Sequence, residues 1–478
     1  MRFIHTADWH LGNSIHKSDR TTEVKLFFEW LKNTIVESKS ESLIIAGDIF
    51  DEKNPPTWAR TDYYDFLVSL RDTDCRNIII VGGNHDSGNL LDSPKEVLKN
   101  LEFLNVRVVG SLSNTKLSDV AFELYDKEDN VIGICAAVPF VHGNEFDLID
   151  PVDINAEKSE ENPEDSNPDN SKAKQEERTE NVYAKVYAEA LKSAKLLRGD
   201  RDVPIITTGH LFASGLETRS DNIDIDDENH QDNGIRSLEV VGNLGRIHDK
   251  VFTDEFQYVA LGHIHYATRV SENNHIRYSG SPFVMGFYES DIKHYVLQVD
   301  VNGNEKVKFN DVKRIEVPCF NHYIRAQGTY DDIIAKINEC MESHDNPNSE
   351  LFCQPGTKIY VELYYKPEDR VKLEEYVYEN QVMDKLAIVS WHPVVDDKSD
   401  DFRLGDYTLK EMKNKIQFHD VIRSLVLTHK ANSIPDEVTD EERKKIEDEL
   451  VEKYYPYFKE AWDAVEAAEE AGDSDEDN

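Results

Sequence analysis

The residues that could do chemistry come in short groups, and each group directly follows a run of apolar residues. The groups are HTADWHLG with Asp8 and His10, LIIAGDIFD with Asp48, IIIVGGNHD with Asn84, His85 and Asp86, IITTGH with His210, and YVALGHIH with His263 and His265. A buried strand that ends in Gly, Asp or His delivers that side chain to one edge of a sheet. Several strands that end at the same edge would gather carboxylate, imidazole and amide groups into one cluster.

This set of side chains is suited to hold two divalent metal ions that act on a phosphoester. Two such ions about 3.5–4 Å apart activate water and stabilise the phosphoryl oxygens. The pair needs one shared ligand, and we predict Asp48, because Gly-Asp after a buried strand places its carboxylate centrally. The other ligands are expected to form two sets, which are Asp8, His10 and His265 for one ion, and Asn84, His210 and His263 for the other. A nitrogen and oxygen set without thiolates favours Mn²⁺ or Fe²⁺ over Ca²⁺ or a cysteine-type zinc site.

Two residues of the GGNHD group are expected to have other roles. We expect His85 to face the substrate, where an imidazolium could donate to the phosphate or protonate the leaving oxygen. We expect Asp86 to hold the His85 ring through its other nitrogen. A single Gly-His or Gly-Asp is typical of a turn, but the whole ordered set is very improbable by chance.

The composition indicates a folded protein of the cytoplasm. A chain of 478 residues predicts two or three domains. No run of about 18 apolar residues predicts a transmembrane helix, and the first residues do not resemble a signal peptide. The scattered cysteines, without a CxxC pair, predict reduced thiols. They are Cys75, Cys135, Cys319, Cys340 and Cys353.

The formal net charge is −40, which is unusual for an enzyme that acts on nucleic acid, because phosphate contacts usually require Lys and Arg. Much of the excess lies in residues 155–181 and 469–478. Both segments are rich in Glu, Asp, Ser and Asn and poor in large apolar residues, so we predict that both are disordered.

The elements that must position the groups divide the chain into three parts. Residues 1–305 predict a β-α-β-α-β order followed by a meander, which favours two packed sheets with helices on both outer faces and an acidic insert at about 152–181. Residues 315–395 predict β-α-β-α-β. Residues 400–468 predict amphipathic helices, followed by the acidic tail at 469–478. These helices could pack on the chain itself or bind a partner, and the pattern leaves both open.

The groups DWHLG, GDIFD, GGNHD, GHLFASG and GHIH resemble the motifs of the calcineurin-like metallophosphoesterases. Within that family, GDIFDEKNPPTWAR and IRYSGSP are similar to the SbcD branch, the nuclease subunits of SbcCD complexes. The resemblance implies an α+β fold, a four-layer α/β/β/α sandwich with a small α/β capping domain and C-terminal helices. It also implies two Mn²⁺ ions and action on DNA as a 3′→5′ exonuclease and hairpin-opening endonuclease.

The same resemblance implies partners. The C-terminal helices at 408–455 would bind an SMC-like ATPase of the SbcC type, and two copies of the chain would pair through the nuclease domain. DNA affinity could then be delegated to the ATPase, which would account for the negative charge of this chain.

Asp51 departs from part of the family, because some relatives have a second histidine shortly after the shared aspartate. Asp51 could instead orient water or a metal ligand. Two other functions use the same residues. A phosphomonoesterase or cyclic-nucleotide phosphodiesterase would use the same metals but would not need residues 315–470. A scaffold without activity would not need the complete set of ligand types.

Overall fold

The computed structural model describes residues 1–95, 104–149, 168–213, 247–271, 273–290 and 292–394. The helices predicted within 400–468, the tail at 469–478 and the first part of the acidic insert lie outside the described residues.

The described ranges form the following strands and helices. The strands are β1 (Arg2–Thr6), β2 (Ser42–Ala46), β3 (Asn77–Val81), β4 (Asn105–Val109), β5 (Ala121–Tyr125), β6 (Val131–Ala137), β7 (Ile205–His210), β8 (Tyr258–Gly262), β9 (Thr268–Val270), β10 (Asn273–Tyr278), β11 (Tyr295–Asp300), β12 (Val312–Glu316), β13 (His322–Gln327), β14 (Ile359–Tyr365) and β15 (Leu386–Pro393). The α-helices are α1 (Thr21–Ser38), α2 (Thr57–Ser69), α3 (Gly88–Asp92), α4 (Phe146–Ile149), α5 (Pro168–Arg198), α6 (Tyr330–His344) and α7 (Arg370–Glu379).

Two six-stranded sheets form the core of the first 316 residues. The first sheet has the order β12-β11-β1-β2-β3-β4, and the second has the order β5-β6-β7-β8-β10-β9. Strands β1 to β4 run parallel to one another, as do β6, β7, β8 and β10. The carboxyl ends of parallel strands lie at one edge of each sheet, and these are the ends that carry the predicted ligands.

The alternation of side chains along β2 shows how the layers form. Ile44 packs in the core shared by the two sheets, whereas Leu43 and Ile45 pack with Phe27 of α1. Strands buried on both faces read as continuous apolar runs, which is the pattern of this segment. Helices α1 and α2 cover the outer face of the first sheet, and α5 lies against β5 and β6 of the second. The predicted α/β/β/α sandwich is confirmed.

A third sheet of three parallel strands, in the order β13-β14-β15, follows the sandwich. Helices α6 and α7 connect its strands and share a separate apolar core with them. That core includes Ile333, Ile337, Val361, Leu363 and Leu373. The β-α-β-α-β order predicted for 315–395 is confirmed, whereas its role as a capping domain stays a prediction.

The prediction of disorder is wrong for the last part of the acidic insert. Helix α5 begins at Pro168, inside the acidic insert predicted at about 152–181. Proline is favoured in the first turn of a helix, because its missing N–H has no partner to lose there. The residues that follow are mostly Lys, Ala, Gln and Glu, which have high helix propensity, so they extend the amphipathic helix backwards.

Two predictions on composition can be compared with the described residues. All five cysteines are free, as expected, and all but Cys319 are buried. Burial raises the pKa of the Cys75 thiol to about 12, so that this thiol stays protonated. Among the described helices, none has the length and apolar character needed to cross a membrane.

Candidate metal centre

The seven predicted ligands lie at one edge of the sandwich, where both sheets present the carboxyl ends of parallel strands. Asp8 follows β1 and Asp48 follows β2, each by two residues. His210 is the last residue of β7, and His263 comes directly after β8. The two sheets thus contribute facing sets of side chains, and contacts across the sandwich bring the sets together.

Four of these ligands have a backbone conformation that side-chain-bearing residues rarely adopt. The φ angles of Asp8, His10 and Asp48 are 54°, 43° and 49°, and that of His263 is 101°. Such conformations cost on the order of 1–3 kcal/mol each and persist only where the surrounding packing enforces them. Their concentration at this edge indicates a functional site.

Two glycines of the motifs are required by close packing at the same edge. A Cβ atom on Gly83 would collide with the carboxylate and backbone of Asp48, and one on Gly262 would collide with the carbonyl oxygen of Ala46. Glycine therefore allows the loops after β2, β3 and β8 to approach one another. This explains why Gly precedes the polar residue in these motifs.

The carboxylate of Asp48 lies between the two predicted sets. Its Oδ2 is 3.6 Å from His10 Nε2 and 3.3 Å from His210 Nε2, so one oxygen reaches an imidazole of each set. Its Oδ1 accepts a hydrogen bond of 2.9 Å from the backbone N–H of His85. Burial opposes the charge, but His210 and His10 hold the pKa of Asp48 well below its usual range. An ionised carboxylate in this position suits a shared metal ligand.

The first set converges through facing imidazoles. The Nε2 atoms of His10 and His265 are 3.2 Å apart, and Asp8 supplies a carboxylate oxygen within 4.8 Å of a ring nitrogen of each. The other nitrogen of His10, Nδ1, lies 3.2 Å from Oδ1 of Asp51. A carboxylate on one ring nitrogen typically orients the other toward a metal. Burial lowers the pKa of His265 to about 3, which leaves its ring neutral and able to bind a cation.

The second set converges on the amide of Asn84. Its Oδ1 lies 3.0 Å from His210 Nε2 and 2.9 Å from His263 Nδ1. The Nδ1–H of His210 donates to the carbonyl of Ala46 at 2.9 Å, which directs Nε2 into the cluster. Burial disfavours the imidazolium of His210, but Asp48 and Asp8 together raise its pKa to about 9. A proton held there takes the place that a cation would fill.

Asp8 provides the clearest test of whether a metal fits these residues. Its Oδ1 accepts a 2.8 Å hydrogen bond from the backbone N–H of His263, whereas its Oδ2 is buried without a hydrogen-bond partner. Burial raises the pKa of this carboxyl to about 7, so the charged form is poorly stabilised by the chain alone. A divalent cation would supply the missing partner, and the donor set therefore fits. Like Asp48, Asp8 lies close to residues of both sets. The assignment of Asp48 as the shared ligand therefore stays a prediction.

His85 lies beside the predicted ligands and is half-buried. Its ring centroid is 4.8 Å from that of His10, and its Nδ1 donates a 2.8 Å hydrogen bond to the main-chain carbonyl of Asp51. This bond leaves Nε2 as the nitrogen available to a substrate. The geometry is compatible with the predicted role of His85 as a donor to a phosphate or a leaving oxygen.

The predicted role of Asp86 is wrong, because its carboxylate does not contact the His85 ring. It accepts hydrogen bonds from the backbone N–H groups of Ile49, Phe50 and Gly83, at 3.1, 2.9 and 2.9 Å. The turn after β3 directs the side chain beneath the loop that carries Asp48. Asp86 therefore fixes the loops after β2 and β3 to each other. The main-chain carbonyl of Asp51, and not Asp86, holds the ring of His85.

The contacts of Asp51 favour the orientation of a ligand over the orientation of water. Its carboxylate lies against His10, as described above, and accepts a 3.2 Å hydrogen bond from Asn13 Nδ2. Sequence reasoning missed Asn13. The residue directly follows HTADWHLG, but a single Asn after Gly is typical of an ordinary turn, so its type alone carried no signal.

Comparisons with known proteins agree with this geometry. The family model described as calcineurin-like phosphoesterase matches residues 1–267. The chain is 30% identical to the SbcD subunit of the SbcCD nuclease of Escherichia coli strain K12 over 76% of this chain and 79% of that protein. The proteins of the same name from Rhodobacter capsulatus and Bacillus subtilis are 27% and 23% identical, over 73% and 65% of this chain and 78% and 69% of theirs.

Proposed function

This chain belongs to the calcineurin-like phosphoesterase family, and we propose that it is the metal-dependent nuclease subunit of an SbcCD-type complex that cleaves DNA. One observation supports this proposal most strongly. Asp48 lies between two converging sets of nitrogen and oxygen ligands, and the neighbouring carboxylate of Asp8 has a buried oxygen without a partner. The family implies divalent metal ions, and we propose two Mn²⁺.

The residues of the chain have separate tasks in this proposal. Two bound divalent ions would activate water and offset the charge that develops on the phosphoryl oxygens. The strained loops hold the ligands in place before any ion binds, so little reorganisation accompanies binding. Nε2 of His85 donates to a phosphate oxygen or to the leaving oxygen, while the Asp51 carbonyl holds the ring.

We propose that DNA and an SbcC-type ATPase are the partners of this chain. The net charge of −40 opposes strong DNA binding by the isolated subunit, so the ATPase would supply most of the affinity. The amphipathic helices predicted within 408–455 would bind the ATPase by laying their apolar faces in a groove. Pairing of two copies through the nuclease domain and a cytoplasmic location are part of the same proposal.

A substrate panel tests the nuclease assignment. The purified chain, alone and with its ATPase, is incubated with Mn²⁺ and hairpin or blocked-end duplex DNA, and in parallel with p-nitrophenyl phosphate and cyclic nucleotides. We expect Mn²⁺-dependent cleavage of DNA that the ATPase increases. Efficient turnover of the small molecules with intact DNA would instead identify a small-molecule phosphoesterase, and no turnover of any substrate would favour a scaffold.

A truncation tests the partner assignment. Removal of all residues after 400 should leave the thermal unfolding temperature and Mn²⁺ binding of the remaining chain unchanged, but should abolish capture of the ATPase. Burial of several apolar side chains at about 1.5–3 kcal/mol each would suffice for a stable complex. The matched control removes only residues 469–478, which should keep the ATPase. A truncated chain that unfolds, or that still binds the ATPase at full affinity, would contradict the assignment.

A further inference from the structure

A chain of hydrogen bonds leads away from the metal centre and begins at Asp51. It continues through Asn13 and Arg20 to Glu23. Asp51 contacts the predicted ligand His10 with its carboxylate and the ring of His85 with its carbonyl. Whatever fixes the position of Asp51 therefore fixes two residues of the site at once.

The amide of Asn13 connects Asp51 to Arg20 in a single orientation. Its Nδ2 donates to Asp51 Oδ1 at 3.2 Å, and its Oδ1 accepts from Nη1 of Arg20 at 3.1 Å. A carboxylate can only accept and a guanidinium can only donate, so an amide turned by 180° would lose both bonds. Neither Ala nor Asp at this position could make both contacts.

Arg20 is in turn fixed from several directions. The residue is only 4% exposed, and its Nε donates a 2.6 Å hydrogen bond to Oε2 of Glu23, which also accepts from Nδ2 of Asn321 at 3.2 Å. The guanidinium lies 5.2 Å from the ring centroid of Phe283 and 5.9 Å from that of Tyr323. A buried guanidinium with these contacts has little freedom, so it is a rigid anchor for Asn13.

The anchor also joins the metal edge to the third sheet. Tyr323 lies in β13, Asn321 directly precedes that strand, and both contact the Arg20–Glu23 pair. The position of the third sheet is thereby linked to the position of Asp51 through side chains that are largely buried.

We propose that Asn13 and Arg20 are positioning residues of the metal centre and act through Asp51 on His10 and His85. The inference rests on the proposed function, because its test measures the phosphodiester cleavage that we propose for this centre. Residues that orient metal ligands through hydrogen bonds usually cost 10–100-fold in metal affinity or activity when they are removed. Without Asn13, the Asp51 carboxylate would lose the hydrogen bond from Asn13 Nδ2 that connects it to Arg20.

A double-mutant cycle tests this route of action. The wild-type chain, Asn13→Ala, Asp51→Ala and the double variant are assayed with Mn²⁺ on DNA and on bis(p-nitrophenyl) phosphate, a chromogenic diester that does not depend on DNA recognition. Asn13→Ala should lower kcat about 10–100-fold with little change in KM. The double variant should be no slower than Asp51→Ala, because residues that act through one another are not additive. The unfolding temperature of Asn13→Ala should fall by less than about 4 °C.

Control variants separate positioning from folding. Asn274 of β10 also accepts a hydrogen bond from an arginine, Arg269, but lies near the amino end of its strand, opposite the metal edge. Asn274→Ala should leave kcat unchanged. Asn13→Asp keeps an acceptor for Arg20 but places a second carboxylate against Asp51, so it should lower kcat more than Asn13→Ala does.

The outcomes that would overturn the inference are distinct. Multiplied losses in the double variant would mean that Asn13 does not act through Asp51. Wild-type kcat in Asn13→Ala, or a loss of kcat that follows only the unfolded fraction, would mean that the contact is structural. If the wild-type chain turned over the chromogenic diester but left DNA intact even with its ATPase present, the proposed DNA substrate would be wrong while the cycle would still test Asn13.

Discussion

Asp8 at the metal edge and Glu362 in the three-stranded sheet are both buried carboxylates, yet the chain surrounds them differently. Glu362 accepts hydrogen bonds from Nε2 of His16 at 2.9 Å and from Nε of Arg325 at 3.2 Å. Asp8 has one backbone donor on one oxygen and no hydrogen-bond partner on the other. The chain thus satisfies Glu362 by itself, whereas it leaves the second oxygen of Asp8 without a partner, where we propose that a cation binds.

The backbone of the two regions differs in the same way. The metal edge contains four ligand residues at positive φ, whereas Gln381 is the sole non-glycine residue at positive φ between residues 322 and 393. Strained backbone and a buried carboxylate oxygen without a hydrogen-bond partner occur together where an ion is expected. The metal edge has thus been built for binding at the expense of the stability of the metal-free protein.

Loss of the Asp48 carboxylate, which we propose as the shared ligand, should have the largest effect. Asp48→Ala should abolish binding of the metal pair and lower turnover by about 10³-fold or more, because the stabilisation lost amounts to several kcal/mol. The fold should remain, since the strands around it are apolar and buried. Metal analysis of the purified variant and the rate with Mn²⁺ are the measurements. Wild-type turnover in this variant would mean that the two-metal assignment is wrong.

Replacement of His85 should impair cleavage without the loss of bound metal. His85→Asn should retain both metals and lower cleavage about 10²–10⁴-fold, the usual contribution of a general acid or a donor to phosphate. The metal content of the variant, measured beside its turnover, decides the role. If one metal were lost as well, His85 would have to be a ligand, and the site would need a different division of roles.

Glu362 should behave as a purely structural carboxylate. Glu362→Gln weakens its bonds to His16 and Arg325 and should lower the free energy of unfolding by about 1.5–3 kcal/mol. Mn²⁺ binding and turnover of a small diester should stay at wild-type values. Chemical denaturation with a parallel metal titration checks both statements. Impaired metal binding in Glu362→Gln would mean that Glu362 is not purely structural.

The corresponding change at Asp8 should raise the free energy of unfolding instead of lowering it. Asp8→Asn keeps an acceptor for the His263 N–H but removes a poorly stabilised charge, so the metal-free variant should gain about 1–3 kcal/mol while it loses metal affinity. Because burial raises the pKa of Asp8 to about 7, the folded state holds the proton more tightly than the unfolded state. The contribution of Asp8 to the stability of the metal-free protein therefore falls as the pH rises from about 4 to about 7, and the gain of the variant over the wild type should be larger at pH 8 than at pH 5. An equal gain at both pH values would contradict this account of Asp8.

The main features of the fold and the ligand set could be predicted because they depend on periodicity. Apolar runs such as those before Asp48 and Asn84 predict buried parallel strands, and parallel strands bring their carboxyl ends to one edge. The spacing of His263 and His265 after such a run places both near Asp8. These inferences need only the position of a residue relative to its strand.

The direction of a side chain after a turn could not be predicted in the same way. Asp86 follows His85 directly, but its carboxylate is drawn to three backbone N–H groups of a neighbouring loop, which the spacing of residues does not encode. Asn13 joins Asp51 and Arg20 through contacts that exist only in the folded chain. Tertiary hydrogen bonds of this kind form between residues far apart in the sequence, so no local pattern predicts them.

We propose that one chain binds two ions that share Asp48. The most direct measurement is electron paramagnetic resonance of the metal-free full-length chain titrated with two equivalents of Mn²⁺. Two ions about 3.5–4 Å apart should give the spectrum of an exchange-coupled pair, and Asp48→Ala should remove the coupling. Uncoupled six-line spectra at two equivalents in the wild type, or saturation at one Mn²⁺ per chain, would contradict the claim.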